Sequence, residues 1–441
     1  MIPSYKRIWK VSYPIILSLL AQNIIIIVDT AFLGHVGEAE LGASAIGGLF
    51  YLSLFIIGFG FATGTQILIG RRNGEKQFTS IGNYVDHSIY FLLLLCLLLT
   101  VFSYNFSHHI LGTILASEKI FQLSIDFMDI RIWGLGFAFI NMTFRAFYIG
   151  ITNTKYLTYS AVIMALVNIT LDYLLIFGNF GFPQMGIQGA AFASVVAELI
   201  SSVFFISITL LRVDRNKYKL FYFPGLSLNV IKKIFNVSFF VMLQYFFSIF
   251  SWYMFFIILE QTGERPLAIS NILRGMYMIF TIPIFSLGSA ANTMVSNLLG
   301  ENNADHVIPT IKRISKISFL SILGLILFGL LFTEPFISIY TNDPSLMMET
   351  KAPFYVVLGV MVIFSVAMII FNGVSGTGNT RISLLIELVT MLIYLALAYT
   401  LAVIFSLPIT YVWFSEFVYF LLLGVLSIFY LKFGKWKYKV I

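Results

Sequence analysis

The sequence predicts an all-α integral membrane protein with twelve transmembrane helices arranged in two six-helix lobes. Of its 441 residues, 59% are hydrophobic and only 11% are charged, where a soluble protein would carry roughly 25% charged residues. The apolar residues form long runs of about 20, the length that crosses a bilayer as a helix. These runs are too long for strands and do not alternate between apolar and polar residues, so a β-barrel is not expected.

The predicted spans follow one another along the chain, with short connections between them. The first apolar run is interpreted as a span and not as a signal peptide, because it is long, contains Asp29 and precedes equally apolar runs. The twelve predicted spans are 12–33, 42–69, 86–106, 131–151, 157–177, 187–211, 234–259, 268–298, 314–332, 353–375, 382–405 and 408–431.

The basic residues fall mostly in alternate connections and predict the orientation. Of the 27 Lys and Arg, 21 lie on the side of the N-terminus and two, Arg145 and Arg274, lie inside spans. The other side holds four: Lys119, Arg131, Arg265 and Lys351. Since Lys and Arg are enriched in cytoplasmic connections, both termini are expected to be cytoplasmic in the cell inner (plasma) membrane. The same rule explains the net charge of +7 without nucleic acid as a partner.

The chain carries an internal repeat at a shift of 226 residues, with no gap over about 150 residues. The clearest match is that Gly150, Asn153, Thr154 and Lys155 recur as Gly376, Asn379, Thr380 and Arg381. Polar loop residues rarely stay in register by chance. We therefore predict an N-terminal lobe at 1–211, a basic cytoplasmic linker at 212–233 and a C-terminal lobe at 234–441. Because six spans return the chain to its starting side, the repeats are expected to be parallel, with a pseudo-two-fold axis along the membrane normal.

Five acidic residues fall in the interior of predicted spans, where a carboxylate costs about 2.5–3.5 kcal/mol on insertion scales and usually has a function. They are Asp29, Asp172, Glu198, Glu387 and Glu416. Asp29 and Asp172 both fall about one turn from the outer ends of their spans, and Asn168 is one turn below Asp172 on the same face.

We predict that Asp29, Asp172, Asn168 and Ser194 form a site for a coupling cation, Na⁺ or H⁺, because oxygen-bearing side chains suit a hard monovalent ion. Two alternatives stay open for the two Asp residues: they join helices by hydrogen bonds alone, or only one of them acts. Asn168 and Ser194 are equally compatible with packing.

Four further charged residues inside the predicted spans also call for an interpretation. Glu198 and Arg145 are possible accessory residues, although capping or pairing within the lobe is the favoured explanation for each. Glu387, six residues after Arg381, is expected to reach water or pair near the cytoplasmic end. Glu416 is a candidate repeat partner of Glu198 if the connection between spans 11 and 12 is eight residues shorter.

The sequence resembles the multidrug and toxic compound extrusion (MATE) transporters, and is most similar to their prokaryotic, DinF-like branch. The resemblance rests on the following motifs: Pro14, the 28–34 stretch VDTAFLG, Gly37 to Ala45, Asn168-x-x-x-Asp172, the 186–194 stretch GIQGAAFAS and the two G-x-x-N-T-[KR] loops. It implies an exporter of organic cations and other amphipathic compounds in exchange for inward Na⁺ or H⁺. Span 7 lacks the carboxylate that some other branches carry there, so the resemblance gives no ground for a cation site in the C-terminal lobe.

The expected function is therefore secondary antiport by alternating access, with no enzymatic activity and no cofactor. The expected partners are a small organic cation or amphipathic substrate, Na⁺ or H⁺ and membrane lipids, and the chain is expected to be a monomer. The alternative is a lipid or lipid-linked oligosaccharide flippase of the same superfamily, for which a more cationic cavity would be expected. No metal is expected beyond Na⁺.

Overall fold

The computed structural model describes residues 2–439 and 441, and within these residues the regular structure is helical, with no strand. The helices are α1 (Tyr5–Val36), α2 (Glu38–Gly74), α3 (Phe78–Ile114), α4 (Glu118–Arg131), α5 (Gly134–Gly150), α6 (Lys155–Leu175), α7 (Ile187–Arg212), α8 (Arg215–Tyr218), α9 (Leu228–Glu260), α10 (Glu264–Gly300), α11 (Val307–Leu331), α12 (Thr333–Ser338), α13 (Pro344–Gly376), α14 (Thr380–Tyr399), α15 (Ile409–Val412) and α16 (Phe414–Phe433). The predicted all-α class is confirmed.

Eleven helices in the described part of the chain are long and apolar enough to cross a membrane. The remaining predicted span, 131–151, corresponds to α5, which has only 17 residues. A turn at Ile132 and Trp133 separates it from α4, a helix too polar to be recognised by hydropathy. Together α4 and α5 supply the twelfth helical crossing.

Several helices extend well beyond their apolar runs. Helices α2 and α10 each have 37 residues, which corresponds to a length of about 55 Å, compared with about 30 Å for the hydrocarbon core. Hydropathy marks only the part of a helix that lies in lipid, and this explains why the predicted ends of these two helices fall inside the observed ones.

The chain divides into two compact units, and the division falls within helices α1 and α9. One unit is Tyr13–Met242; the other is Leu243–Ile441 with the residues up to Ser12. In the second unit the short N-terminal piece is held by hydrogen bonds, because Arg313 Nη1 donates to the carbonyl of Pro3 at 2.9 Å and Ser286 Oγ donates to that of Ser12 at 2.9 Å. The 212–233 segment belongs to the first unit.

The internal repeat is visible in the backbone. Lys76 and Thr152 adopt left-handed conformations with φ of 60° and 58°, and the residues 226 positions later do the same, with φ of 57° at Asn302 and 82° at Gly378. Such conformations are uncommon outside glycine, so their recurrence at one shift is specific. Both units therefore use the same turns between equivalent helices.

Candidate cation-coupling site

In the first unit, α1 and α6 meet through small side chains. Ala21 of α1 and Ala161 and Ala165 of α6 form a buried cluster, with Ile25 packed against it. Alanine lets two helices approach closely, as is common where helices pack in membranes. Just beyond the end of α6, the ring of Phe177 packs edge to face against that of Phe32 on α1, with centroids 5.5 Å apart.

This contact determines which polar residues come together. Asp29 lies two turns after Ala21 on the same face of α1, and Asn168 and Asp172 continue the face of α6 that carries Ala165. The three polar side chains therefore lie at one level between the two helices. Asn168 and Asp172 are buried, whereas Asp29 is partly exposed.

The amide of Asn168 joins the two acids to Ser194. Oriented with its nitrogen toward the carboxylates, it donates to Asp29 Oδ1 at 3.0 Å and to Asp172 Oδ2 at 3.3 Å. Its oxygen then faces Ser194 Oγ on α7, 3.4 Å away, and accepts from that hydroxyl. The structure thus brings together all four residues that the sequence assigned to this site.

The two carboxyl groups lie within hydrogen-bonding reach of each other. Asp172 is 0% exposed, and its Oδ1 accepts no hydrogen bond from any residue of the described chain. Two ionised carboxylates in this contact would repel each other, and the buried oxygen would lack a donor. One proton or one small cation between them removes both problems.

Next to this site, Glu198 is already paired. Arg131, the last residue of α4, binds its carboxylate at two points, with N–O distances of 2.5 and 2.8 Å. The guanidinium also lies over the ring of Tyr51, 3.8 Å from its centroid, and is close enough to attract Asp29 electrostatically. The sequence had counted Arg131 only as an outer-loop charge, so its pairing role was missed.

Arg145, the other accessory candidate, donates from Nη1 to Ser18 Oγ of α1 at 3.2 Å. It lies on α5, about four helical turns after Arg131 in the sequence. Its described contact is therefore with α1, away from the carboxyl pair that Asn168 joins.

Of the two possibilities expected for Glu387, reaching water or pairing, the first is wrong. Its side chain is buried in the second unit, with 2% of the residue exposed, and it accepts a hydrogen bond from Tyr419 Oη at 2.6 Å. The expectation relied on distance along the chain from Arg381. It could not take account of α16, which packs over this face of α14.

A family model described as MatE matches the chain twice, at residues 14–174 and 237–400. The chain belongs to the MatE family. The two matches end 226 residues apart, at equivalent positions of the internal repeat, so the double MatE domain and the repeat are one feature. As a MATE family member, the chain is a multi-pass membrane transporter with twelve helices in two lobes.

Two curated relatives are both named probable multidrug resistance protein NorM. The one from Thermotoga maritima is 24% identical over 447 residues, covering 99% of this chain and 94% of that protein. The one from Pasteurella multocida is 26% identical over 305 residues, covering 68% of this chain and 65% of that protein.

Solved structures of the MATE fold are similar over nearly the whole chain. An outward-facing multidrug resistance MATE family transporter of the MOP superfamily superposes with a TM-score of 0.90 at 18% identity, covering 99% of this chain and 97% of that one. A MOP superfamily transporter from Pyrococcus furiosus gives 0.89 at 19% identity, covering 97% and 95%. At these identities the similarity shows the fold alone.

Proposed function

We propose that this MATE family member exports organic cations or other amphipathic compounds in exchange for inward Na⁺ or H⁺. The observation that carries the proposal is the contact between Asp29 and Asp172, with a buried oxygen of Asp172 that accepts no hydrogen bond from the described residues. A pair used only to join helices would have its acceptors satisfied by donors.

The chemistry around the pair supports a monovalent ion as the coupling species. Asn168 and Ser194 add neutral polar groups, and Arg131 is engaged by Glu198, so the pair retains its own negative charge. Oxygen donors suit Na⁺ or a shared proton, while softer metals favour sulfur or imidazole. An amide can also turn its oxygen toward a bound cation without changing its place in the structure.

Ion entry would drive export by changing the charge of this site. A cation that binds from outside neutralises the pair and stabilises the conformation that has released the substrate, which is alternating access between two repeats. One charge moving through 100 mV supplies about 2.3 kcal/mol, and a tenfold ion gradient adds about 1.4 kcal/mol. Together they sustain a substrate gradient of several hundred-fold for a neutral substrate.

The substrate class follows from the relatives, which are named as multidrug resistance proteins. We place the transporter in the inner (plasma) membrane with cytoplasmic termini and infer that it acts as a monomer among membrane lipids. The lobes proposed from the sequence, 1–211 and 234–441 joined by 212–233, are the parts that would move during transport.

Reconstitution into liposomes tests the proposal. The purified transporter is given an imposed Na⁺ or H⁺ gradient and a fluorescent lipophilic cation, and dye movement is followed with each gradient separately and with none. We expect dye to move against its own gradient only when one of the two ions flows the other way. If the dye moves equally with the Na⁺ gradient, with the H⁺ gradient and with neither, antiport is contradicted.

A further inference from the structure

The second unit contains another group of buried acids, formed by residues unrelated to the Asp29–Asp172 pair. Glu387 of α14 and Glu416 of α16 are each 2% exposed. Each accepts a hydrogen bond from a tyrosine: Tyr419 Oη donates to Glu387 at 2.6 Å, and Tyr394 Oη donates to Glu416 at 2.8 Å. The two pairs cross between the same two helices, because α14 carries Glu387 and Tyr394 whereas α16 carries Glu416 and Tyr419.

The two acid–tyrosine pairs form one cluster. The rings of Tyr394 and Tyr419 are in contact, with centroids 5.3 Å apart. Ser248 of α9 is close enough to Glu387, and Tyr277 of α10 to Glu416, for each to interact electrostatically with the carboxyl. These serine and tyrosine hydroxyls are the polar groups that face the two carboxyls.

No basic side chain neutralises this cluster. Within residues 2–439 and 441, neither Glu387 nor Glu416 forms an ion pair with a Lys, Arg or His. A carboxylate buried without a counter-charge is unstable by several kcal/mol, according to the general cost of isolated buried ions. A carboxylic acid at the same position avoids this cost, because it is neutral and still hydrogen-bonds the tyrosine hydroxyl.

The internal repeat shows that the difference between the units is specific. In the first unit, Glu198 is approached by Tyr51 and paired with Arg131. In the second unit, Glu416 is the candidate repeat partner of Glu198 from the sequence, and Tyr277, 226 positions after Tyr51, interacts with it electrostatically. The position 226 residues after Arg131 is Val357, so the arginine that neutralises the first glutamate has no equivalent.

Further polar atoms next to the cluster have no partner. Ser383, one turn before Glu387 on the same face of α14, is 0% exposed, and its Oγ has no hydrogen-bond partner among the described residues. Gln244 occupies the equivalent place one turn before Ser248 on α9, and its buried Oε1 likewise accepts no hydrogen bond within the described chain. Buried polar groups are usually satisfied, so these two atoms add unused hydrogen-bonding capacity beside the carboxyls.

We propose that Glu387 and Glu416, with Tyr419 and Tyr394, form a proton-binding site in the second unit. Each tyrosine hydroxyl can donate to a carboxylate or accept from a carboxylic acid, so the pair stays hydrogen-bonded in both protonation states. The protons bind when the carboxyls are buried from water, as they are in this structure, and leave when water reaches them. The transporter then carries ionisable sites in both of its units.

The test is infrared spectroscopy of the full-length transporter in an Asp29→Asn/Asp172→Asn background, which silences the first site. At neutral pH we expect the C=O stretching band of a protonated carboxylic acid. It should fall by about half in Glu387→Gln or Glu416→Gln and disappear when both are changed. Glu260→Gln, an exposed glutamate of the same unit, is the matched control and should leave the band unchanged.

A band that is absent at neutral pH, or that persists in the double variant, overturns the proposal. If the glutamine variants fail to fold, Tyr419→Phe and Tyr394→Phe provide the test. Loss of the hydroxyl should raise the frequency of the acid band, and an unshifted band in both would also overturn it. Because no transport is measured, these results are independent of whether Asp29 and Asp172 couple export.

Discussion

Arg131 and Glu198 form a two-point ion pair that fixes α4 to α7, with N–O distances of 2.5 and 2.8 Å. Their side chains are each 12% exposed, so little water screens the pair. This pairing accounts for Glu198 without a transported ion. Of the three first-unit acids that the sequence analysis assigned to span interiors, Asp29 and Asp172 are then the two that form no ion pair with a base within the described residues.

We predict that Glu198→Ala destabilises the transporter strongly, because Arg131 then remains buried without its partner. Breaking a buried ion pair in this way costs about 3–5 kcal/mol. The measurement is thermal unfolding in detergent, with Glu260→Gln as the control. Adding Arg131→Met to Glu198→Ala should recover part of the lost melting temperature, because no buried charge is then left without a partner. A Glu198→Ala protein that melts at the wild-type temperature would refute the role of the pair.

The segment between the repeats is held against α3 by Asp86 and His87. Asp86 accepts from the backbone N–H groups of Phe221 and Phe223 at 3.3 and 3.0 Å, and His87 Nε2 accepts from that of Ser227 at 3.0 Å. We predict that Asp86→Ala speeds tryptic cleavage within 212–233 several-fold, because these contacts hold the backbone away from the protease. Unchanged cleavage relative to Glu260→Gln would show that the segment is held by other contacts.

Arg265, at the start of α10, forms exposed ion pairs with Asp343 and Glu349 at the start of α13, with N–O distances of 2.9 and 3.1 Å. Hydrogen bonds from Arg265 and Ser345 lower the pKa of Asp343 to about 2 from 3.8. An acid with a lowered pKa stabilises the fold at pH values above its ordinary pKa, and this contribution is lost as pH falls through the lowered one.

We therefore predict that Arg265→Gln lowers the melting temperature slightly and by the same amount at pH 5 and pH 8. The loss should shrink at high salt, since exposed pairs are screened. Melting curves in detergent at both pH values measure this. A loss that disappears at pH 5 would mean that Asp343 titrates near or above that pH.

Much of this architecture was predictable, because a helix that crosses a bilayer needs about 20 apolar residues in a row and such runs are visible in the sequence. The twelve apolar runs predicted the membrane-spanning helices. The similar depth of Asp29 and Asp172 within their spans predicted that these two residues lie together, as they do in the structure. Asn168 followed from its spacing of four from Asp172. Each of these inferences needs only helix periodicity and the position of a residue relative to a helix end.

The misses concern contacts between distant helices. Arg131 was counted only as an outer-side charge, and its ion pair with Glu198, 67 residues away in sequence, was not predicted. Glu387 was placed at a water boundary, yet Tyr419 of α16 covers it. Which helices neighbour each other depends on tertiary packing, and no local pattern in one sequence encodes it.

The predicted orientation is tested by single cysteines in a Cys96→Ser background. A cysteine at Asn216 should react with an impermeant thiol reagent only from the cytoplasmic side, and one at Asn342 only from outside. Both positions are exposed in the structure, so access to the reagent depends on the side of the membrane alone. Labelling of Asn216 from outside would reverse the topology that the 21 to 4 charge split predicts.

The most direct test of the central claim is ion-driven export by Asp29→Asn and Asp172→Asn in liposomes. Asparagine keeps the size and hydrogen-bonding capacity of each acid but cannot change its charge, so a pair that only joins helices should tolerate it. We predict that each variant folds and inserts normally but loses gradient-driven export, while Glu260→Gln retains it. Export at wild-type rates by both Asp variants would contradict coupling at this site.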